Sequence, residues 1–231
     1  MIPLLDDNPA RLKPVVTVSV IVICVAVFLW EESLGDASDS AILLLGLTPN
    51  AFTHSAEAQG FGPPVWTTLV TCMFLHAGWM HIIGNMLYLW IFGNNIEDAM
   101  GHGKFTLFYF ACGILAGFTM VAIDPNSHTP VVGASGAISG VLASYMLLYP
   151  RARVRVWLFV YPAWIRAVWV VGVWFAIQLL NAAATPASEP GTAWWAHVGG
   201  FAAGLVLTPF LKSPDVPYFG PVDPRGPWAE G

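Results

Sequence analysis

Six long apolar runs alternate with polar segments along the chain. A helix that crosses a bilayer needs about 20 apolar residues, with about 17 at the short end of the range. Trp30, Trp79, Trp164, Trp194 and Trp195 lie at run ends, where aromatic side chains meet the membrane–water interface. The pattern therefore predicts an all-α polytopic membrane protein with six transmembrane helices. The predicted spans are residues 15–30, 79–96, 105–123, 133–149, 164–183 and 194–211.

The composition agrees with this prediction. Of the 231 residues, 56 % are hydrophobic and 10 % are charged, and the mean hydropathy is +0.65. A soluble domain carries about 25 % charged residues. The first run lacks a clean cleavage site and is followed by further spans, so we expect a retained helix rather than a signal peptide. We divide the chain into an N-terminal segment (1–14), a membrane domain (15–211) and a flexible tail rich in Pro and Gly (212–231).

The basic residues predict the orientation. With six crossings, all nine Lys and Arg residues fall on one side of the membrane. The connections on the other side, residues 31–78, 124–132 and 184–193, contain no Lys or Arg. The positive-inside rule then places both termini in the cytoplasm.

The first outer connection, residues 31–78, is long and not simply polar. It contains "AILLLGL" and "VWTTLVTCMFLHAGW", which are too short to cross a bilayer by themselves. We predict that these segments are interfacial or re-entrant, so that the first outer loop is associated with the membrane.

Four polar side chains lie near the outer ends of three predicted spans. His81 and Asn85 are four residues apart and share one helix face, Ser135 begins the fourth span, and His197 lies near the start of the sixth. A serine hydroxyl needs an adjacent base to act as a nucleophile, and a histidine can supply that base. Because no span carries a carboxylate near this depth, the pattern indicates a Ser–His dyad. His81 and Asn85 could stabilise an oxyanion.

The glycines around these residues predict that the fourth and sixth spans pack closely. Gly136 and Gly140 form one small-xxx-small pair, and Gly200 and Gly204 form another. Each polar residue alone also fits a simple packing role. A metal site at the outer histidines is a further alternative, but no carboxylate or HExxH spacing accompanies them. A small transporter would need charged residues at mid-membrane, which the spans lack.

Three motifs in order resemble the rhomboid family of intramembrane serine proteases: "FLHAGWMHIIGNMLYLWIFGNNIED", "GASGAISG" and "AHVGGFAAG". The resemblance implies a six-helix rhomboid-like bundle with a water-accessible cavity on the outer side. It implies Ser135 as nucleophile, His197 as general base, and His81 and Asn85 at the oxyanion, with no cofactor and no metal. Two positions depart from the family pattern. Thr67 follows Trp66 where many relatives have Arg, and Ser139 stands where many have an aromatic residue that stacks on the catalytic histidine.

We therefore expect an intramembrane serine endopeptidase that cleaves single-span transmembrane proteins near the outer face. The alternative is a non-catalytic rhomboid-like protein that binds or escorts membrane clients. We expect a multi-pass protein of the prokaryotic plasma (inner) membrane with its active site facing outward. Its partners would be its substrates and the lipid bilayer, with no nucleic acid. The oligomeric state is left open.

Overall fold

The computed structural model describes residues 2–54, 63–158, 160–185 and 193–220, and this part of the chain is mostly helical. Within these ranges, four helices are long and apolar enough to cross a membrane: α1 (Val15–Ser33), α6 (His102–Ile123), α8 (Ala167–Ala184) and α9 (Trp194–Leu211). The more polar α5 (Trp79–Met100) is as long as α6, and α7 (Ser135–Leu148) has 14 residues. These six helices match the six apolar runs of the sequence, although some of their ends differ.

The short helix α7 lies at the centre of the bundle and contacts α5, α6, α8 and α9. Eleven of its 14 residues are buried, so protein rather than lipid surrounds it. Its close contact with α9 follows from the glycines. A Cβ atom on Gly200 would collide with the carbonyl group of Gly136, and one on Gly204 would collide with that of Gly140. The predicted close packing of the two glycine pairs is confirmed.

The connection between α1 and α5, which was predicted to be the first outer loop, folds into short helices within its described parts. They are α2 (Ser38–Leu45), α3 (Pro49–Thr53) and α4 (Thr68–Thr71), with 3₁₀ turns at Gly35–Ala37 and Val65–Thr67. Leu47 is fully buried and pairs through its backbone with Val131, which ties this connection to the segment before α7. Trp66 remains exposed. Residues 55–62 lie outside the described part of the chain.

A three-stranded antiparallel sheet corrects the all-α prediction. Its order is β1-β2-β3, with β1 at Ile2–Asp6, β2 at Arg153–Leu158 and β3 at Tyr161–Arg166. The fifth span was predicted to begin at residue 164, but α8 begins three residues later because Trp164 pairs with Arg155 in the sheet. Alternation in "RVRVW" was the missed signal: Val154 and Val156 are fully buried, whereas Arg153 and Arg155, which alternate with them, are exposed.

A buried carboxylate ties the far end of α5 to the start of α1. Glu97 is fully buried and accepts hydrogen bonds from the backbone N–H groups of Val16 and Thr17, each at 2.8 Å. It also accepts one from the Thr17 hydroxyl at 2.7 Å and lies 2.6 Å from Nδ1 of His102. These bonds satisfy donors in the first turn of α1, which no side chain of α1 caps. They therefore fix α1 against α5.

The C-terminal segment was predicted to be a flexible tail from residue 212. In its described part, the backbone N–H of Ser213 donates to the Ala99 carbonyl at 2.8 Å. The N–H of Gly220 donates to the Leu148 carbonyl at 3.0 Å. Residues 212–220 thus lie against the ends of α5 and α7. Residues 221–231 of the predicted tail lie outside the described residues.

Candidate active site

Ser135 and His197 lie within hydrogen-bond distance of each other. Ser135 is the first residue of α7, and His197 lies in the first turn of α9. The Ser135 Oγ atom is 2.8 Å from Nε2 of His197. The contact of Gly136 with Gly200 brings the two helix backbones together one residue beyond the serine. The packing glycines and the polar pair are therefore parts of one arrangement.

A third side chain contacts the histidine from α8. The Oε1 atom of Gln178 lies 2.7 Å from Nδ1 of His197, and both side chains are buried. Our sequence reasoning missed Gln178 because we considered the fifth run only as an apolar span. The signal was present, since an amide within an apolar helix is costly unless it has a partner.

His81 and Asn85 line the same cavity as Ser135 and His197. The Nδ1 atom of His81 accepts a hydrogen bond from the Ala77 backbone N–H at 3.3 Å, so in the neutral ring Nε2 carries the proton. The Asn85 Nδ2 atom is buried and has no hydrogen-bond partner among the described residues. Two N–H donors, on His81 and Asn85, thus belong to the cavity wall.

Gly133 allows the chain before Ser135 to pass close to these donors. Its φ is +118°, which L side chains rarely adopt. A Cβ atom there would lie 2.8 Å from Nε2 of His81 and 3.7 Å from Nδ2 of Asn85. Glycine is therefore required by both backbone conformation and space.

The cavity has a volume of about 760 Å³ and is mainly apolar. Its wall comes from α5, α7, α8 and α9 and from the segment before α7. Representative lining residues are Met80, Tyr88, Val132, Ile138, Trp174 and Trp195. Such a pocket, with a few convergent polar groups, is typical of a ligand or substrate site.

Ser139 forms its hydrogen bond within its own helix. Its hydroxyl donates to the Ser135 carbonyl at 2.6 Å. The His197 ring instead lies near two tryptophan rings. The ring centroids are 5.8 Å apart for Trp174, at an interplanar angle of 38°, and 6.2 Å apart for Trp194, at 85°. Aromatic contact with His197 thus comes from α8 and α9 rather than from α7.

His76 lies behind His81, with 5.2 Å between the ring centroids. Burial, assisted by His81, lowers the pKa of His76 to about 4. His76 is therefore neutral near pH 7 and adds no positive charge beside the cavity. Within the described ranges, no three His, Cys, Asp or Glu side chains are grouped to hold a metal ion.

A family model and several similar proteins all indicate the same family. The family model for the Rhomboid domain matches residues 63–214. "Rhomboid protease GluP" of Bacillus subtilis (strain 168) is 27 % identical over 193 residues, covering 84 % of this chain and 34 % of that protein. "RHOMBOID-like protein 1" of Arabidopsis thaliana is 31 % identical over 164 residues, covering 70 % of this chain and 39 % of its own.

A third relative has a similar level of sequence identity to this chain. "Rhomboid-type serine protease 2" of Emericella nidulans (strain FGSC A4 / ATCC 38163 / CBS 112.46 / NRRL 194 / M139) is 31 % identical over 175 residues, covering 74 % of this chain and 32 % of that protein. The chain thus spans between 32 and 39 % of the length of these three relatives. The residues matched by the family model include all four predicted site residues.

Proposed function

The chain belongs to the rhomboid family, and from this premise we propose that it is an intramembrane serine endopeptidase with a Ser135–His197 catalytic pair. The observation that carries the proposal is the 2.8 Å approach of Ser135 Oγ to His197 Nε2 inside a mainly apolar cavity. A nucleophile and a base at this distance are the minimum that acyl transfer requires.

The proposed reaction begins when Ser135 Oγ attacks the carbonyl carbon of a peptide bond. Nε2 of His197 takes the hydroxyl proton as the new C–O bond forms. The tetrahedral intermediate collapses, the C–N bond breaks, and His197 returns the proton to the leaving amine. Water, activated by the same nitrogen, then hydrolyses the acyl-enzyme and restores Ser135.

The negative charge on the intermediate needs preorganised donors. In this proposal the Asn85 amide and the Nε2–H of His81 supply them, because both lie in the cavity wall, and the Asn85 amide has no other partner among the described residues. The N-terminal end of α7, where Ser135 lies, adds a favourable helix dipole. Gly133 lets the chain before Ser135 pass close to both donors.

We infer that the substrates are single-span membrane proteins. The catalytic pair lies at the ends of α7 and α9, so a substrate helix need unwind only near one membrane face. Residues with low helix propensity near that face should make such unwinding easier. The wall of the cavity is mainly apolar, so it can accept the apolar side chains of a transmembrane segment.

The proposed topology has six membrane crossings with both termini in the cytoplasm and the active site facing outward. Its support is the distribution of Lys and Arg along the sequence. Four of the helices meet the length and hydropathy of a span, and α5 and α7 complete the set. We propose the plasma membrane of a prokaryote as the location.

The test is cleavage of a single-span model substrate by the purified chain in liposomes. We expect Ser135→Ala and His197→Ala each to abolish cleavage while the proteins remain folded. Ser139→Ala is the matched control, because its hydroxyl bonds within α7, and it should keep most of the activity. Full activity in Ser135→Ala would contradict the proposal. A folded wild-type protein that binds the substrate without cleaving it would favour the non-catalytic alternative.

A further inference from the structure

The imidazole of His197 has two nitrogens, and the proposed reaction uses one of them. The other faces a neutral amide rather than a carboxylate. We propose that Gln178 is a positioning residue of the active site, which fixes the ring and the tautomer of His197 through a hydrogen bond to Nδ1. The inference rests on the proposed function, and it extends the catalytic pair to a Ser135–His197–Gln178 arrangement.

The hydrogen-bond pattern indicates which end of the Gln178 amide meets the histidine. Its Nε2 group donates to the Trp174 carbonyl at 3.3 Å, one turn earlier on α8. The oxygen Oε1 therefore faces His197 and lies 2.7 Å from Nδ1. An amide oxygen can only accept, so Nδ1 must carry the proton.

The tautomer follows from that bond. When Nδ1 of the neutral ring carries the proton, Nε2 has a free lone pair. That lone pair faces the Ser135 hydroxyl, 2.8 Å away. The opposite tautomer would place a proton between the ring and the serine and leave Gln178 Oε1 without a donor. Gln178 therefore favours the one neutral form of His197 that can act as a base.

Because both partners are buried, the hydrogen bond between Gln178 and His197 is costly to break. Gln178 is 5 % exposed and His197 is 8 % exposed. A buried amide oxygen without a donor costs about 1–3 kcal/mol, so the bond opposes rotation of the histidine away from Ser135. Only five of the 18 residues of α8 are buried, and Gln178 is one of them. The polar side chain is thus directed inward from a helix that otherwise faces largely outward.

Helix α8 restrains the ring in two ways at once. Trp174 and Gln178 are four residues apart and share one face of the helix. The Trp174 ring lies beside the imidazole, while Gln178 bonds its edge. The Ser139 hydroxyl, by contrast, bonds within α7. The two α8 side chains thus supply the orientation that an aromatic residue at position 139 would give.

An amide differs from a carboxylate in one respect that can be measured. It orients the neutral imidazole but adds no full negative charge to stabilise the imidazolium. The substitution Gln178→Glu keeps the acceptor and can add that charge. Once ionised, the introduced carboxylate would favour protonated His197, so the acidic limb of the pH–rate profile would move to higher pH. A residue with only a packing role would not produce this shift.

The experiment compares Gln178→Leu, Gln178→Glu and the control Asn181→Leu with the wild-type chain in liposomes. Asn181 is another amide on α8, and its side chain donates to the Ile177 carbonyl in its own helix. Two readouts are taken for each protein: kcat and KM for the model substrate across pH, and the rate at which a fluorophosphonate probe labels Ser135. Thermal unfolding verifies that each variant is folded.

We expect Gln178→Leu to lower kcat and the labelling rate by about 10–100-fold, the loss seen when the partner that orients a metal-binding histidine is removed, with little change in KM. Gln178→Glu should recover labelling and move the acidic limb upward. Asn181→Leu should behave as wild type. Unchanged kcat and labelling in a folded Gln178→Leu would overturn the inference. So would equal losses in both Gln178 variants without a shift of the profile.

The two proposals fail in different ways. If wild type and Ser135→Ala do not differ in cleavage, the proposed function fails and Gln178 has no catalytic role. If Ser135→Ala abolishes cleavage but the Gln178 variants match Asn181→Leu, only the role of Gln178 is wrong.

Discussion

Asn85 tests the oxyanion assignment at the level of a single side chain. Its Nδ2 group is buried in the cavity wall without a hydrogen-bond partner among the described residues, so it is free to donate to a developing charge. Asn85→Ala should lower kcat by about 10²-fold, the usual loss for one oxyanion donor, with KM nearly unchanged. Steady-state kinetics in liposomes measures this. Asn94→Ala, further along α5, serves as the control, and an equal loss in both variants would count against a specific role.

Part of the candidate site could be predicted from the sequence, because the distance of a residue from the end of its apolar run indicates its depth in the membrane. A common position near the predicted outer ends of their helices relates Ser135, His197, His81 and Asn85. Gln178 lies about as many residues from its helix end as Asn85 does, but its run carries another amide, Asn181, and the sequence does not distinguish the two. Only the packing of α8 against α9 shows which atom Gln178 meets. Sequence spacing relates residues of one helix but does not set the rotation of one helix against another.

At the level of helices, the contact between α7 and α9 holds the proposed catalytic pair together. Gly200→Ala would place a methyl group against the Gly136 carbonyl, so the helices would have to separate. We expect a loss of about 1–3 kcal/mol of stability, as for overpacked cores, together with a lower kcat. Unfolding in detergent and cleavage kinetics measure the two effects.

Gly172→Ala on α8 is the matched control. A Cβ atom there would meet nothing within 4 Å among the described residues, so stability should be unchanged or rise by up to about 1 kcal/mol. If both substitutions had the same effect, close packing of α7 and α9 would not explain the position of Ser135 beside His197.

Helices were easier to predict than the sheet for a physical reason. Each transmembrane run must satisfy its own backbone in lipid, so length and hydropathy suffice to locate it. Asp7, which directly follows β1, contacts Arg153 at the start of β2 across 146 residues of sequence. Pairing between strands so far apart in the chain leaves no local signal beyond alternation. The apolar residues of β3 run directly into α8, which is why we placed the start of that helix too early.

At the scale of the whole molecule, the N-terminal strand is held against the bundle by a titratable contact. The Tyr145 hydroxyl donates to Asp6 Oδ2 at 2.5 Å. Burial raises the pKa of Asp6 from 3.8 to about 7, although the bond from Tyr145 opposes the rise. Between these two pKa values, the folded protein thus binds more protons at Asp6 than the unfolded chain does. The contribution of this group to stability is complete below about pH 4 and is lost as the pH rises through about 7.

We therefore expect β1 to detach more readily at pH 8 than at pH 6. Hydrogen exchange of the β1 amides, corrected for the intrinsic effect of pH, measures this opening. Asp6→Asn cannot titrate, so its protection should not depend on pH in this range. Wild-type protection that is constant, or that increases with pH, would contradict the assignment.

The bundle as a whole combines a buried polar site with a largely apolar exterior. Large apolar side chains are exposed on its outer helices, among them Val22 on α1, Leu180 on α8 and Phe210 on α9. Lipid is the environment that suits such a surface. The buried site joins α7, α8 and α9 through Ser135, His197 and Gln178, so the proposed chemistry depends on how these helices pack.

The central claim is that Ser135 is an activated nucleophile, and covalent labelling tests it most directly. The full chain in liposomes is treated with a fluorophosphonate probe, digested and analysed by mass spectrometry. We predict one modified serine, Ser135, with labelling lost in Ser135→Ala and strongly reduced in His197→Ala. An unlabelled wild-type protein, or a probe attached to Ser139 or Ser144 instead, would contradict the account.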